Sequence, residues 1–460
     1  MSRRPFPLFA PALWGAACGA VLGALRTREA TLQLLGKNRA LQDAGFLPLP
    51  GNGHWETLAS WAPSAAGGLF FGLSLGLGAG TLLGLWARCT GGLPGRPGRL
   101  LPWATLAVPL WALAGGDPGL AAALAASAAG AVWSQGAGGQ MDARSALLRA
   151  LVLAPLLTAL IPWATAAEGP FTRLRDGVLL GSPAGQAVNT FYYRWTLYPA
   201  HVLKPLAGLS QPAVAVSGQI SEENRDRFCR QGLRLGLLCV DEGEAADVRA
   251  FPDRGTGAVE LLHGRTRVAW PEDPDAQGEA WNRLSAASDR GRPLRLATYW
   301  ALFLGCPLAL CWGFSSLALA AGALVGDRWR LFGSLGAAVL LAASLGAAGR
   351  IDPALHAARS RLIIESPDRA EVMAALGSST AAVRLYGARA AGAARLEADL
   401  LVDALSDPLL NVRTGAAEAL GAVGGPRARE LLLEVVRSPE EWYVKERAYA
   451  SLWRLGWRGR

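Results

Sequence analysis

The densest group of side chains that could do chemistry lies in "NTFYYRWTLYPAHVLK", residues 189–204. Aromatic rings beside basic groups are typical of a segment lying at a lipid–water interface, and the alternative is a pocket for a ligand or a lipid headgroup. A single histidine among aromatic rings is more often structural than catalytic, so the interfacial interpretation is favoured. The candidate residues are Tyr192, Tyr193, Arg194, Trp195 and His201.

Other patterns that could carry catalysis are weak. A G-x-S-x-G match at 72–76 lies inside an apolar run, whereas a nucleophile elbow needs a strand, a sharp turn and a helix. The acidic cluster of Asp241, Glu242 and Glu244 is most simply a solvated turn. The four histidines are scattered and no C-x-x-C occurs, so metal ligands at the usual spacings are missing from the sequence. We therefore predict no catalytic residue, no metal and no cofactor.

Composition indicates a membrane protein. Hydrophobic residues make up 51% of the chain and charged residues 18%, below the roughly 25% of soluble domains. Nearly all of the basic residues are arginine, a compositional bias, so nucleic-acid binding is not predicted despite the net charge of +9. Seven apolar stretches are long enough to cross a bilayer core: 7–25, 66–87, 100–116, 120–135, 147–166, 297–322 and 331–349.

Glycines recur at every fourth position in the first two of these stretches. Such spacing lets helix backbones approach closely where lipid offers no hydrophobic force. We therefore predict that these two helices pack together, or across a homo-oligomer, through Gly15, Gly19, Gly23, Gly72, Gly76 and Gly80.

Basic residues in the short loops favour a cytoplasmic N-terminus, which with seven spans puts the soluble blocks outside the cytoplasm. The predicted location is a bacterial cytoplasmic (inner) membrane. Almost no ionisable residue lies deep within the apolar stretches, which argues against an ion-coupled pump.

The segment between the fifth and sixth stretches reads as a small α/β domain. A strand at 213–218 precedes a helix with Ser221 as its N-cap, and further strands follow in "LGLLCVD", "ADVRAF", "AVELLHG" and "RTRVAW". Cys229 falls late in the helix and Cys239 in the next strand. Outside the cytoplasm these two could form a disulfide, and the alternative is two buried thiols.

The C-terminal block shows an internal repeat. Val383–Arg384, Val412–Arg413 and Val444–Lys445 are separated by 29 and 32 residues, and each is followed by small residues at helical spacing. This period predicts helix pairs that must stack on one another. The stretch "DPLLNVRTGAAEALGAVGG" resembles HEAT-like repeats of the phycobilisome-lyase type, over roughly residues 365–457. The resemblance implies an α-solenoid for protein–protein contact and no catalytic residues.

The predicted fold is an α-helical membrane protein with about seven transmembrane helices, a small inserted α/β domain and a C-terminal HEAT-like α-solenoid. Its domains are residues 1–166, with an interhelical segment at 26–65; residues 167–296, with an aromatic interfacial segment at 175–206; residues 297–349; and residues 350–460.

Three functions fit this organisation, and the first is favoured. The first is an integral membrane scaffold or assembly subunit that contacts lipid and recruits protein partners through the α/β domain and the repeats. The second is a transport component for a lipid-like or apolar molecule, and the third is a membrane-bound enzyme. The predicted partner-binding residues are Arg384, Arg413, Trp442, Tyr443 and Lys445.

Overall fold

The computed structural model describes residues 9–49, 77–78, 81, 143–164, 169–196, 204–253, 259–289, 291–325, 329–348, 353–365 and 367–459. Within these residues the chain is mostly helical and contains one five-stranded sheet.

The described α-helices in chain order are α1 Phe9–Asp43, α2 Ala143–Thr158, α3 Ile161–Ala164, α4 Pro170–Arg173, α5 Pro183–Phe191, α6 Glu222–Arg234, α7 Pro274–Ala287, α8 Arg292–Trp300, α9 Cys306–Leu324, α10 Arg330–Ala348, α11 Pro353–Arg359, α12 Arg369–Leu376, α13 Ala381–Ala393, α14 Val402–Leu405, α15 Leu410–Val423, α16 Gly425–Arg437 and α17 Trp442–Arg454. Leu174–Leu179, Tyr192–Thr196, Ala301–Gly305 and Ser360–Ile364 form π-helical turns, and Leu206–Gly208 and Ala398–Leu401 form 3-10 turns. The strands are β1 Ala213–Val216, β2 Leu238–Asp241, β3 Val248–Pro252, β4 Val259–His263 and β5 Thr266–Ala269.

The chain forms two compact units. The apolar unit consists of Met1–Leu25, Ala65–Gly185 and Pro293–Pro353. The sheet–repeat unit consists of Arg26–Ser64, Gln186–Arg292 and Ala354–Arg460. The α/β domain and the helical repeats, which the sequence suggested as separate domains, therefore belong to the same unit.

The sheet has the order β2-β1-β3-β4-β5. Central β1 runs parallel to β2 and β3, while β4 and β5 are antiparallel additions at one edge. All four residues of β1 are buried, as expected of a strand covered on both faces. The strands lie where the sequence patterns predicted them, and the Ser221 side chain caps α6 by accepting a hydrogen bond from the Asn224 backbone.

Alternate residues of β1 pack into two different hydrophobic cores. Val214 and Val216 pack with residues of α6 and α7, including Phe228 and Trp281. Ala213 and Ala215 face a second cluster that contains residues of α1 and of the C-terminal repeats; its members include Ala40, Leu41, Phe46, Leu238, Val240 and Trp453. Because successive side chains of a strand point to opposite faces, β1 packs against α6 and α7 on one face and against α1 and the repeats on the other.

In the apolar unit, α2, α9 and α10 pack around Val152, Ala318 and Ala338. Gly78 lies so close to Ala301 that a Cβ atom at Gly78 would be 2.6 Å from the Ala301 carbonyl oxygen. Small residues at such contacts let helix backbones approach closely. Gly78 is not one of the glycines that the sequence predicted to pack. Of those, Gly15, Gly19 and Gly23 lie on α1, and the surroundings of their side chains are not described. Gly72, Gly76 and Gly80 lie outside the described residues.

The prediction of seven transmembrane helices is wrong. Among the described residues, one helix, Thr298–Leu324, is long and apolar enough to cross a membrane, and Leu331–Ala347 is a shorter apolar helix. The predicted span 147–166 is interrupted, because α2 ends at Thr158 after 16 residues. Apart from Leu77, Gly78 and Thr81, the predicted spans at 66–87, 100–116 and 120–135 lie outside the described residues.

The first predicted span, 7–25, is one half of a longer helix. Helix α1 continues to Asp43, since the sequence has no glycine or proline between Leu25 and Gly36, and it gives way to a turn at Gly45, where φ is +81°. Its second half belongs to the sheet–repeat unit, where Lys37 pairs with Asp247 at 3.1 Å. The apolar stretch 7–25 therefore did not predict where this helix ends.

Candidate protein-interaction surface

Three helix pairs build the C-terminal repeats. The first pair is α12 and α13, the second is α14 (with the 3-10 turn before it) and α15, and the third is α16 and α17. The second helices of the pairs stack on one another, since α13 contacts α15 and α15 contacts α17. The buried apolar side chains of these second helices include Leu385, Val412, Leu420 and Leu452.

Arg384 joins the first pair to the second. Its guanidinium binds both Asp407 carboxylate oxygens, at 2.6 and 3.3 Å, and donates to the backbone carbonyl oxygens of Ser378 and Ser379 at 2.9 and 3.1 Å. Asp407 also accepts a hydrogen bond from the Leu409 backbone N–H at 2.8 Å. Both charged side chains are largely buried, so the pair positions the turn between two repeats.

Arg413 repeats this arrangement one unit further along. It donates to the carbonyl oxygens of Asp407 and Pro408, at 2.7 and 3.2 Å, and pairs with Glu440 at 3.0 Å. Lys445 occupies the equivalent position in the third pair and is buried there. Burial lowers the pKa of Lys445, and nearby Glu440 acts in the opposite direction. The three basic residues predicted to bind a partner are thus placed inside the stack.

The aromatic segment packs against the last repeat helix. The Tyr193 and Tyr443 rings meet edge to face with their centroids 5.1 Å apart. Arg194 pairs with Glu441, with its Nε 2.9 Å from the carboxylate oxygen. Trp442, next to Tyr443, is buried. The side chain of Trp195 is not described, and His201 lies outside the described residues.

Further polar contacts extend this docking along α15 and α17. Buried Asn189 donates a hydrogen bond to Asn411 at 2.5 Å. Glu446 accepts hydrogen bonds from Lys204 at 3.0 Å and from Ser210 at 2.7 Å. Residues 189–194 and 204–210 thus contact the starts of α15 and α17.

The sheet closes the C-terminal end of the stack. Trp453 belongs to the core below β1, and Tyr449 packs against the rings of Trp453 and Trp457 with centroid distances of 5.7 and 5.4 Å. The Leu47 backbone N–H donates to the Gly459 carbonyl oxygen at 2.9 Å. The end of α1 and the sheet therefore take the place that a further repeat would occupy.

Helices α12 and α14, the first helices of the first two pairs, keep an open face. Met373 of α12 is 51% exposed and Val402 of α14 is 36% exposed. Met373 and Val402 are 29 residues apart in the sequence, as are Arg384 and Arg413. They therefore occupy equivalent positions in successive repeats. Residues 395–398 and 423–427, together with Arg369 of α12, line a cavity of about 440 Å³. Sequence reasoning missed this surface, because the residue types of Met373 and Val402 suit a core equally well.

Two tyrosines of this unit, the partly buried Tyr192 and the buried Tyr449, are expected to lower its stability at alkaline pH. Burial raises the pKa of Tyr192 to about 12, with Tyr193 and Tyr443 acting in the same direction, and burial raises the pKa of Tyr449 to about 12. The folded chain holds these protons more tightly than the unfolded chain does. Their contribution to stability is therefore complete below about pH 10 and is lost as the pH rises toward 12.

We accordingly expect the thermal midpoint to fall steeply between pH 10 and 12, with each tyrosine contributing up to about 1.4 kcal/mol per pH unit. Tyr449→Phe should make this fall shallower, because phenylalanine has no proton to lose. Melting curves at stepwise higher pH measure the effect, and an equally steep fall in the variant would contradict the assignment.

Paired helices stacked through their second members define an α-solenoid, a class of protein built for contact with other macromolecules. Residues 370–453 match the family model of HEAT repeats, which confirms the prediction of HEAT-like repeats. The match does not assign the phycobilisome-lyase type. No curated protein and no solved structure matches this chain.

Proposed function

We propose that this chain is a membrane-attached scaffold that binds a protein partner through the open face of its HEAT repeats. The observation that carries the proposal is the HEAT match together with the distribution of covered and open surfaces. The chain's own residues 189–194 and 204–210 contact the starts of α15 and α17, and the sheet packs at the C-terminal end. The open first helices, with Met373 and Val402 in equivalent positions, form the surface offered to the partner.

Membrane attachment is supported by the apolar unit. The most apolar stretch of the helix Thr298–Leu324 has a mean hydropathy of 1.8, and only 22% of that stretch is buried. Tyr299 and Trp300 stand exposed near its start, and Trp329 and Phe332 follow its end. Aromatic side chains favour the headgroup level at both edges of a bilayer. An exposed apolar helix flanked by aromatic rings is therefore suited to lipid.

Side-chain hydroxyls along these helices agree with a lipid setting. Ser315 and Ser316 both donate to the Trp312 carbonyl oxygen at 2.9 Å, and Ser344 donates to the Leu340 carbonyl oxygen at 2.9 Å. Such internal hydrogen bonds satisfy a polar group where no water reaches it.

A single experiment tests both parts of the proposal. The full chain is expressed, its membranes are washed with alkaline carbonate, and the chain is then purified in mild detergent. We expect the chain to stay with the washed membranes and to bring a stoichiometric partner with it. Replacement of both open-face residues, Met373→Glu with Val402→Glu, should reduce recovery of that partner at least tenfold, because the charges oppose an apolar contact.

The matched control is Leu235→Glu. Leu235 is 37% exposed, belongs to the same unit and lies outside the open face. This variant should recover the partner as the wild type does. Release of the chain by carbonate alone would refute membrane attachment, and full recovery of the partner by the double variant would refute the proposed docking face.

The likeness to repeats of the phycobilisome-lyase type supplies no catalytic residues. It supports the same use of the repeats in binding another protein.

A further inference from the structure

The sheet–repeat unit contains a disulfide between Cys229 of α6 and Cys239 of β2. Their Cα atoms lie 5.9 Å apart, within the range that a disulfide bridges without moving the backbone. Both cysteines pack against the core that contains Phe228 and Leu237. The bond therefore links the helix to the neighbouring strand inside the folded domain.

Cysteine usage differs between the two units. Cys229 and Cys239 are the only cysteines of the sheet–repeat unit, and both are bonded. Among the cysteines of the apolar unit whose side chains the structure describes, Cys306 and Cys311 keep their thiol groups. Disulfides form and persist in oxidising compartments, whereas cytosolic reductants keep thiols reduced. A unit with all of its cysteines bonded fits exposure to an oxidising compartment.

We propose, as an extension that rests on the proposed scaffold function, that the sheet–repeat unit faces the oxidising side of the membrane. Its partner would then be an exported protein or the extracytoplasmic domain of another membrane protein. Basic residues do not decide the side, because they occur at both ends of the apolar helix Thr298–Leu324: Arg292 and Arg295 come before it in the sequence, and Arg328 and Arg330 come after it. The disulfide is therefore the observation from which we assign the side of the membrane.

The bond forms by thiol–disulfide exchange with a disulfide-bearing protein oxidase of that compartment. The thiolate of one cysteine attacks the oxidase disulfide and displaces one oxidase thiolate. The second cysteine thiolate then attacks the mixed disulfide and displaces the other oxidase sulfur. The unit loses two electrons and two protons, and the oxidase leaves as a dithiol.

The oxidation state is tested by counting thiols in the full chain from acid-quenched bacterial cells. A maleimide-linked polymer, added under denaturing conditions, increases the mass by one step for each thiol. Without reductant, the wild type should carry the same number of adducts as the Cys229→Ser, Cys239→Ser double variant. After reduction, the wild type should carry two more. Two extra adducts on the unreduced wild type would overturn the proposal.

The side of the membrane is tested with Met373→Cys, on the open face of α12. A membrane-impermeant maleimide added to intact spheroplasts should label this variant above the wild-type background before lysis. Labelling above background only after lysis would overturn the proposal.

Neither readout depends on a partner, so the two proposals can fail separately. If the Met373→Glu, Val402→Glu variant keeps its partner while the disulfide and the labelling are as expected, only the docking face is refuted. If the cysteines are reduced in cells while partner binding follows the open-face variant, only the compartment is refuted.

Discussion

Asp407→Ala is expected to lower the free energy of unfolding of the sheet–repeat unit by about 3–5 kcal/mol, the usual cost of breaking a buried ion pair. The Asp407 side chain is 7% exposed and neutralises Arg384, which is 18% exposed. Removal of the carboxylate leaves a largely buried guanidinium without its counter-charge. The Leu409 backbone N–H also loses its acceptor, so the turn between the first two repeats loosens.

Asp399→Ala is the matched control for this prediction. Asp399 belongs to the same repeat and is also paired with an arginine, Arg427, but its side chain is 69% exposed. Water screens such a pair, and exposed pairs contribute little to stability. We expect Asp399→Ala to leave the unfolding midpoint nearly unchanged. Denaturant unfolding of the full chain in mild detergent measures both variants, and similar losses in the two would contradict a special role for Asp407.

Gly392→Ala is expected to lower the free energy of unfolding by about 2–3 kcal/mol, although only one methyl group is added. A Cβ atom at Gly392 would lie 2.7 Å from the Ala419 Cα atom and 2.8 Å from its Cβ atom. The nearer of these neighbours is backbone, so no side-chain rotation relieves the contact. Helices α13 and α15 would have to separate, which disturbs the stacking that builds the solenoid.

Gly377→Ala is the comparison variant, and it is expected to leave the stability unchanged or to raise it slightly. Gly377 ends α12 with a φ of −83° that alanine adopts freely, and the nearest atom to an added Cβ would be 3.7 Å away. Alanine restricts the unfolded chain, so this variant should be unchanged or more stable by about 0.5 kcal/mol. Thermal melts of both variants under one condition decide the matter. Equal effects would show that close packing at Gly392 does not limit the stack.

Several features of the fold were predictable because their causes are local. The repeat period, the N-cap at Ser221 and the strand at β1 depend on residues that are close in sequence. Helix α12 begins with a capping box in which Asp368 and Glu371 bind each other's backbone N–H groups, again a local signal. The HEAT match over 370–453 agrees with the period that the sequence shows.

The membrane part shows where local reasoning failed. Apolar stretches were counted as spans, yet the length of a helix depends on where it stops. Helix α1 runs past Leu25 to Asp43, and α2 stops at Thr158. A window of hydropathy does not contain that information, since it averages composition and ignores the turns that end a helix.

The sequence by itself determined which helices pair into repeats and which residues form the strands, since both depend on short-range periodicity and capping. Only the tertiary structure decided that the aromatic segment lies on the repeats, because Arg194 and Asn189 find Glu441 and Asn411 more than two hundred residues away. It also decided that Arg384 and Arg413 are held within the stack, where they pair with Asp407 and Glu440. Pairings at such separations depend on how whole elements pack, and no local pattern encodes that packing.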